Sequence, residues 1–155
     1  MCTATYYSQT TGKAMSNWNV LLVDDDVLLA KGTAKLIQRL GGNQVTISDD
    51  PADIILRCQS QPIDIVLMDV NLPGAEWEGQ AVSGADLAHI LKTHPRTAHL
   101  PIILVTAYAM MDERQTLLER SRADALCAKP ITNYKSLLEL IDRLCTGSDR
   151  LKDEG

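Results

Sequence analysis

The chain predicts an open α/β fold, a doubly wound five-stranded parallel sheet with five helices, and three observations carry that reading. Short apolar runs alternate with stretches of helical periodicity, making five βα units. The runs are continuous rather than alternating, as in strands buried on both faces. Acidic or polar residues stand at their C-terminal ends, the edge where open sheets of this kind hold their sites.

The elements follow in order. Residues 1–16 are polar, rich in Ser and Thr, without periodicity, and read as a flexible leader in which Met15 offers an alternative start. Val20–Val23 is a short buried strand. The next segment, Val27–Leu40, carries Leu28, Leu29, Ala34, Leu36, Ile37 and Leu40 at near-helical spacing and ends at Gly41-Gly42. Gly32 inside this helix costs about 1 kcal/mol against Ala, which suggests close packing there. Gln44–Ser48 reads as a second strand. Asp49-Asp50-Pro51 opens a helix running to about Ser60, with proline in its first turn. Pro62 breaks the chain before a third strand, Ile63–Asp69, which Leu72-Pro73-Gly74 turns. A loop leads to a helix over Ala85–Thr93, ended by His94-Pro95. Pro101–Thr106 is the fourth strand. Ala109 to about Arg122 is a helix with Met110, Leu117 and Leu118 inward. Ala125–Ala128 is the fifth strand, and Asn133–Leu144 a helix with Leu137, Leu138, Leu140, Ile141 and Leu144 apolar. Residues 148–155 form a charged tail that frays. The organisation expected is a leader over 1–16, one domain over 17–147, and the tail.

Composition narrows the function. The chain has 155 residues, enough for one domain with a full core. Phe is absent and aromatics are 4 %, so the core must be aliphatic. A net charge of -5 argues against direct nucleic-acid contact or an anionic membrane surface. Cys2, Cys58, Cys127 and Cys145 form no CxxC pair, and His89, His94 and His99 complete no zinc spacing. Reduced thiols, no signal peptide and no apolar run near the roughly 20 residues of a membrane span lead to the expectation of a soluble cytoplasmic protein.

The chemistry concentrates at strand ends. Asp24, Asp25 and Asp26 follow the first strand, Asp69 ends the third, Thr106 ends the fourth, and Lys129-Pro130 follows the fifth. Carboxylates gathered at one sheet edge repel each other unless a divalent cation joins them, and hard oxygen donors suit Mg²⁺. Asp26 serves equally well as a helix cap.

From about Trp18 to Leu144 the chain resembles the receiver domain of two-component response regulators. The motifs are Leu22-Val23-Asp24-Asp25-Asp26, Asp64 through Gly74 with Asp69 inside it, Leu104-Val105-Thr106-Ala107, and Ala128-Lys129-Pro130. The resemblance implies a flavodoxin-like fold, with Asp69 phosphorylated by a histidine kinase or histidine phosphotransfer protein. It further implies that Asp25 and Asp69 bind Mg²⁺ directly, that Asn71 gives it a backbone carbonyl, and that Asp24 holds a metal-bound water. Lys129 and the Thr106 hydroxyl would then contact phosphoryl oxygens. The function expected is a stand-alone, chemotaxis-regulator-like phospho-acceptor, a monomer or weak dimer. It would signal by changing its affinity for a downstream protein effector and turn over no separate substrate. The alternative is a vestigial receiver acting as a phosphorylation-independent interaction module.

Three departures from the family stand out. The segment Ala75–Val82 is longer than usual and follows Asp69 closely, in a position to shield a phosphoryl group or select a partner; Trp77 is its candidate anchor. Leu126 occupies a place where receivers often carry Tyr or Phe, and Tyr108 is the nearest aromatic, expected with Asn71 to flank the water path to Asp69. About ten residues follow the last helix, too few for an output domain.

Overall fold

The computed structural model describes residues 17–107 and 110–147. The expected leader 1–16, the tail 148–155 and Tyr108 lie outside the described residues. In chain order the elements are β1 Asn19–Val23, α1 Val27–Gly41, β2 Gln44–Ser48, α2 Pro51–Ser60, β3 Ile65–Asp69, β4 Glu76–Trp77, β5 Gln80–Ala81, α3 Gly84–Lys92, β6 Ile102–Thr106, α4 Met111–Ser121, β7 Ala125–Ala128 and α5 Tyr134–Thr146.

Five strands form one parallel sheet in the order β2-β1-β3-β6-β7. This is the flavodoxin-like order, and it reverses direction at β1, so a crevice opens beyond the carboxyl ends of β1 and β3. Successive strand residues point to opposite faces. Leu21, Val23, Val66, Met68, Ile102 and Leu104 meet α2, α3 and α4 on one side. Val20, Leu22, Ile65, Leu67 and Ile103 meet Ala30, Ala34 and Ile37 of α1 and Leu137, Ile141 and Leu144 of α5 on the other. The largest fully buried side chains are all Leu, Ile or Met, as the absence of Phe requires.

Several boundaries shift for identifiable reasons. The third strand begins at Ile65, because the Asp64 carboxylate accepts from the Asn19 N–H at 2.8 Å and its own N–H reaches the Asn19 carbonyl. The fourth begins at Ile102, after Pro101, which has no N–H to donate. The α3 helix starts one residue early, at Gly84, where Ser83 and Asp86 close a capping box. Asn133 is an N-cap rather than a helical residue, and Asp26 caps α1 as expected.

Two helices face differently from expectation. In α1 the buried residues are Ala30, Thr33, Ala34, Ile37 and Gly41, while Leu28 is 83 % exposed and Leu29, Leu36 and Leu40 also face outward. The small side chains sit closest to the sheet, and the leucines flank or oppose them. Gly32 borders open space, so close packing does not explain it. In α4, Met110 is the N-cap, 66 % exposed rather than inward; Leu117 is buried and Leu118 half-buried.

The long segment after Pro73 is not an irregular loop. Its strands β4 and β5 pair antiparallel, Glu76 with Ala81 and Trp77 with Gln80. Glu78 and Gly79 turn the hairpin with φ of 52° and 81°. Two consecutive positive φ values are the signature of the tight turns that match strand twist, and glycine adopts the second without steric cost. Trp77 packs against the core face that α2 and α3 cover.

Candidate metal and phosphoryl site at the sheet edge

The strand order brings the sequence-distant acids together. Asp24 follows β1 and Asp69 closes β3, neighbouring strands whose Val23 and Met68 are in register. Thr106 closes β6 beside β3, and Lys129 follows β7, with its N–H donating to the Thr106 carbonyl at 2.8 Å. Oxygens of Asp24, Asp25 and Asp69 lie within 4.8 Å of one another. Asp24 and Asp69 are 6 % and 3 % exposed, whereas Asp25 faces solvent, so the cluster is open on one side only.

Lys129 is the counter-charge. Its Nζ lies 2.7 Å from an Asp69 carboxylate oxygen and 3.7 Å from Asp24. Partial burial works against its charge, but the hydrogen bond and charge of Asp69, with Asp24 and Asp25 behind, hold its pKa above the usual lysine value. Burial pushes the Asp24 carboxyl up. The Asp26 N–H, donated to Asp24 at 2.9 Å, and Lys129 oppose that, while the charges of Asp69 and Asp25 add to it. The second Asp69 oxygen accepts the Asn71 N–H at 3.1 Å. Both Asp69 oxygens are thus oriented, one by a cation and one by the backbone.

Three carboxylates against one ammonium leave a net negative concavity lined by hard oxygen donors. That donor set fits a small divalent cation such as Mg²⁺ and would repel a phosphoryl group without one. A cavity of about 80 Å³ opens beside it between Asp24, Asp69, Lys129, Thr33 and Tyr134. No hairpin residue lines that cavity, so the Ala75–Val82 segment is not its roof. Thr106 is buried at the end of β6, and Asn71 is exposed just after β3. Leu126 is half-buried against the α2–α3–α4 core. Among the described residues the acidic cluster includes no histidine; His89 and His99 are exposed and His94 is half-buried.

Sequence reasoning missed two supports. The Ser48 carbonyl receives the Asp24 N–H at 3.3 Å, and Gly84 donates to the Val70 carbonyl at 2.8 Å, directly behind Asp69. Ser83 followed three residues later by Asp86 is a capping-box signature that places a helix start at Gly84.

Among the described residues, no helix is long and apolar enough to cross a membrane. The chain is similar to a gliding motility regulatory protein of Myxococcus xanthus, 29 % identical over 135 residues, which are 87 % of this chain and 16 % of that protein. Chemotaxis protein CheY-3 of Vibrio cholerae is 27 % identical over 130 residues, 83 % of this chain and 92 % of the relative. The chain thus spans under a quarter of some curated relatives and nearly all of another. Among solved structures, a putative response regulator from Chloroflexus aurantiacus J-10-fl superposes with a TM-score of 0.71 at 25 % identity, covering 84 % of this chain and 98 % of that one. The sheet order, the acidic edge with its lysine, and a match over residues 20–142 agree, and the chain belongs to the response regulator receiver domain family of two-component systems.

Proposed function

We propose that this chain is a phospho-acceptor whose Asp69 takes a phosphoryl group from the histidine of a kinase or phosphotransfer protein, with Mg²⁺ held by Asp24, Asp25, Asp69 and Asn71. The observation that carries the reading is Lys129, 2.7 Å from Asp69 inside a cluster of three carboxylates. A lysine that only balanced charge would serve as well at the surface; here it is tied to a buried carboxylate that closes a central strand.

An Asp69 oxygen attacks phosphorus, the P–N bond to the donor imidazole breaks, and its electron pair stays on the ring nitrogen. An O–P bond to the carboxylate forms. Mg²⁺, when bound, offsets the negative charge that carboxylate and phosphoryl oxygens bring together. Lys129 is already at the carboxylate and meets a phosphoryl oxygen as a point charge. Thr106, at the neighbouring strand end, supplies a hydroxyl. The Asn71 N–H keeps one Asp69 oxygen oriented, a geometric constraint that favours in-line attack.

Signalling then proceeds by altered affinity for a downstream protein, with the unit over 17–147 acting as a monomer or weak dimer. Cytoplasmic placement belongs to the same proposal and is supported by Cys58 and Cys127 being free thiols.

Intact-mass measurement after incubation with Mg²⁺ and phosphoramidate tests the core of this. Wild type should gain one phosphoryl group and Asp69→Asn none. A wild type that gains nothing would support the phosphorylation-independent interaction module instead.

A further inference from the structure

Resting on the phospho-acceptor reading, we propose that Gly84 is a positioning residue for the site. Its missing side chain lets the start of α3 press against the backbone of Asp69 and so hold the carboxylate and Asn71 at their working geometry. A Cβ at Gly84 would fall on the Asp69 carbonyl oxygen, 2.7 Å from the Asp69 carbonyl carbon and 2.9 Å from the Val70 Cα. All three atoms are backbone, so no rotamer change relieves the overlap. Either β3 or α3 must move.

The contact is also a hydrogen-bonded one. The Gly84 N–H donates to the Val70 carbonyl at 2.8 Å, and the Val70 N–H donates to the Val105 carbonyl of β6 at 3.0 Å. Residue 70 is therefore clamped from both sides, one residue after Asp69 and one before Asn71. Buried Ala85 and Leu87 hold the other end of the clamp, because they leave the α3 N-terminus little freedom to retreat. The segment from Asn71 to Ser83, hairpin included, is bounded by this clamp.

The chemical consequence follows from how small the tolerances are. A displaced Asp69 carboxylate shares a cation less well with Asp24 and Asp25, whose oxygens lie within 4.8 Å of its own, and loosens its 2.7 Å contact with Lys129. Groups that orient metal ligands without touching the metal typically change its affinity by about ten- to a hundredfold when altered.

The experiment compares wild type, Gly84→Ala and Ser83→Ala. Mg²⁺ binding is measured by calorimetry, phosphorylation by phosphoramidate, and amide shifts of Val70 and Asn71 in the metal-free protein by NMR. All are run in sucrose, which favours the folded state of a weakened variant. Gly84→Ala should lose about tenfold or more in Mg²⁺ affinity, slow in phosphorylation, and shift both amides. Ser83→Ala weakens the same helix start without the overlap, and should melt earlier while binding Mg²⁺ like wild type. Wild-type Mg²⁺ affinity in Gly84→Ala overturns the proposal, as does an equal loss in Ser83→Ala, which would reduce Gly84 to a stability role. A wild type that binds Mg²⁺ yet accepts no phosphoryl group instead overturns the phospho-acceptor reading on which the proposal rests.

Discussion

Asp24 and Lys129 pull the pH dependence of this protein in a definite direction. Burial raises the Asp24 carboxyl, so the folded state holds that proton more tightly than the unfolded chain does. Ionised Asp24 at neutral pH therefore costs the metal-free protein stability, and the cost fades as pH falls through the raised value. Asp24→Asn should melt higher than wild type at neutral pH in chelator, with the gain shrinking toward about pH 4, the ordinary carboxylate range. Thermal melts at both pH values check this; an asparagine variant that melts lower at neutral pH contradicts it. The raised Lys129 acts oppositely: its stabilising share is complete below the ordinary lysine pKa and disappears only as pH rises through the folded-state value. At this scale much was legible beforehand. Asp24, Asp25, Asp69, Thr106 and Lys129 each end an apolar run, and a parallel sheet sends such ends to one edge. Gly84 and the Ser48 carbonyl were not legible, because their part is played by backbone atoms whose partners lie far off in sequence.

At the scale of elements, α1 carries the clearest expectation. Its first turn presents Val27, Leu28 and Leu29, all exposed, directly after the aspartates of the site. On the phospho-acceptor reading, a protein donor brings its imidazole to Asp69 beside that turn, and exposed apolar side chains beside a polar site suit a protein contact. Leu28→Asp should leave stability within about 0.5 kcal/mol, since the side chain meets mostly solvent. Phosphotransfer from a protein donor should fall about tenfold, while phosphorylation by phosphoramidate stays as in wild type. Competition kinetics with both donors separate the two; a parallel loss with the small donor would mean that the site itself had been disturbed. Of the apolar residues at helical spacing, Ala34 and Ile37 are buried and the leucines are exposed, so spacing alone did not separate the two faces of this helix. Leucine dominates the apolar count, yet Ala30, Ala34 and Ile37 are the side chains that pack with the strands. The β4–β5 hairpin escaped notice for a different reason: strands of two residues are too short for any alternation, and Glu78-Gly79 was its one local signal.

For the whole molecule, the acidic cluster links any cation binding to folding. The three acids come from two strand ends, Asp24 and Asp25 after β1 and Asp69 at β3, and converge only when the sheet is assembled. An unfolded chain has no such cluster, so Mg²⁺ should raise the melting temperature. At a free concentration about a hundred times Kd the added stability is about 2.7 kcal/mol. Asp25→Asn should remove most of that increment while leaving the metal-free melt nearly unchanged, since Asp25 faces solvent. Calorimetric scans with and without Mg²⁺ check both statements; a melt indifferent to the ion in wild type would contradict them. The overall architecture was readable because the apolar runs, their lengths and the breaks between them leave few ways to bury both faces of a sheet.

The hairpin leaves and rejoins the body at almost the same point, since the Val82 N–H meets the Ala75 carbonyl at 3.0 Å. Such a closed excursion behaves as a socket: a reporter peptide or fluorophore cassette spliced at Glu78-Gly79 begins and ends where the native turn does. An insertion there should leave Mg²⁺ binding and phosphorylation by phosphoramidate as in wild type, which calorimetry and intact-mass measurement check.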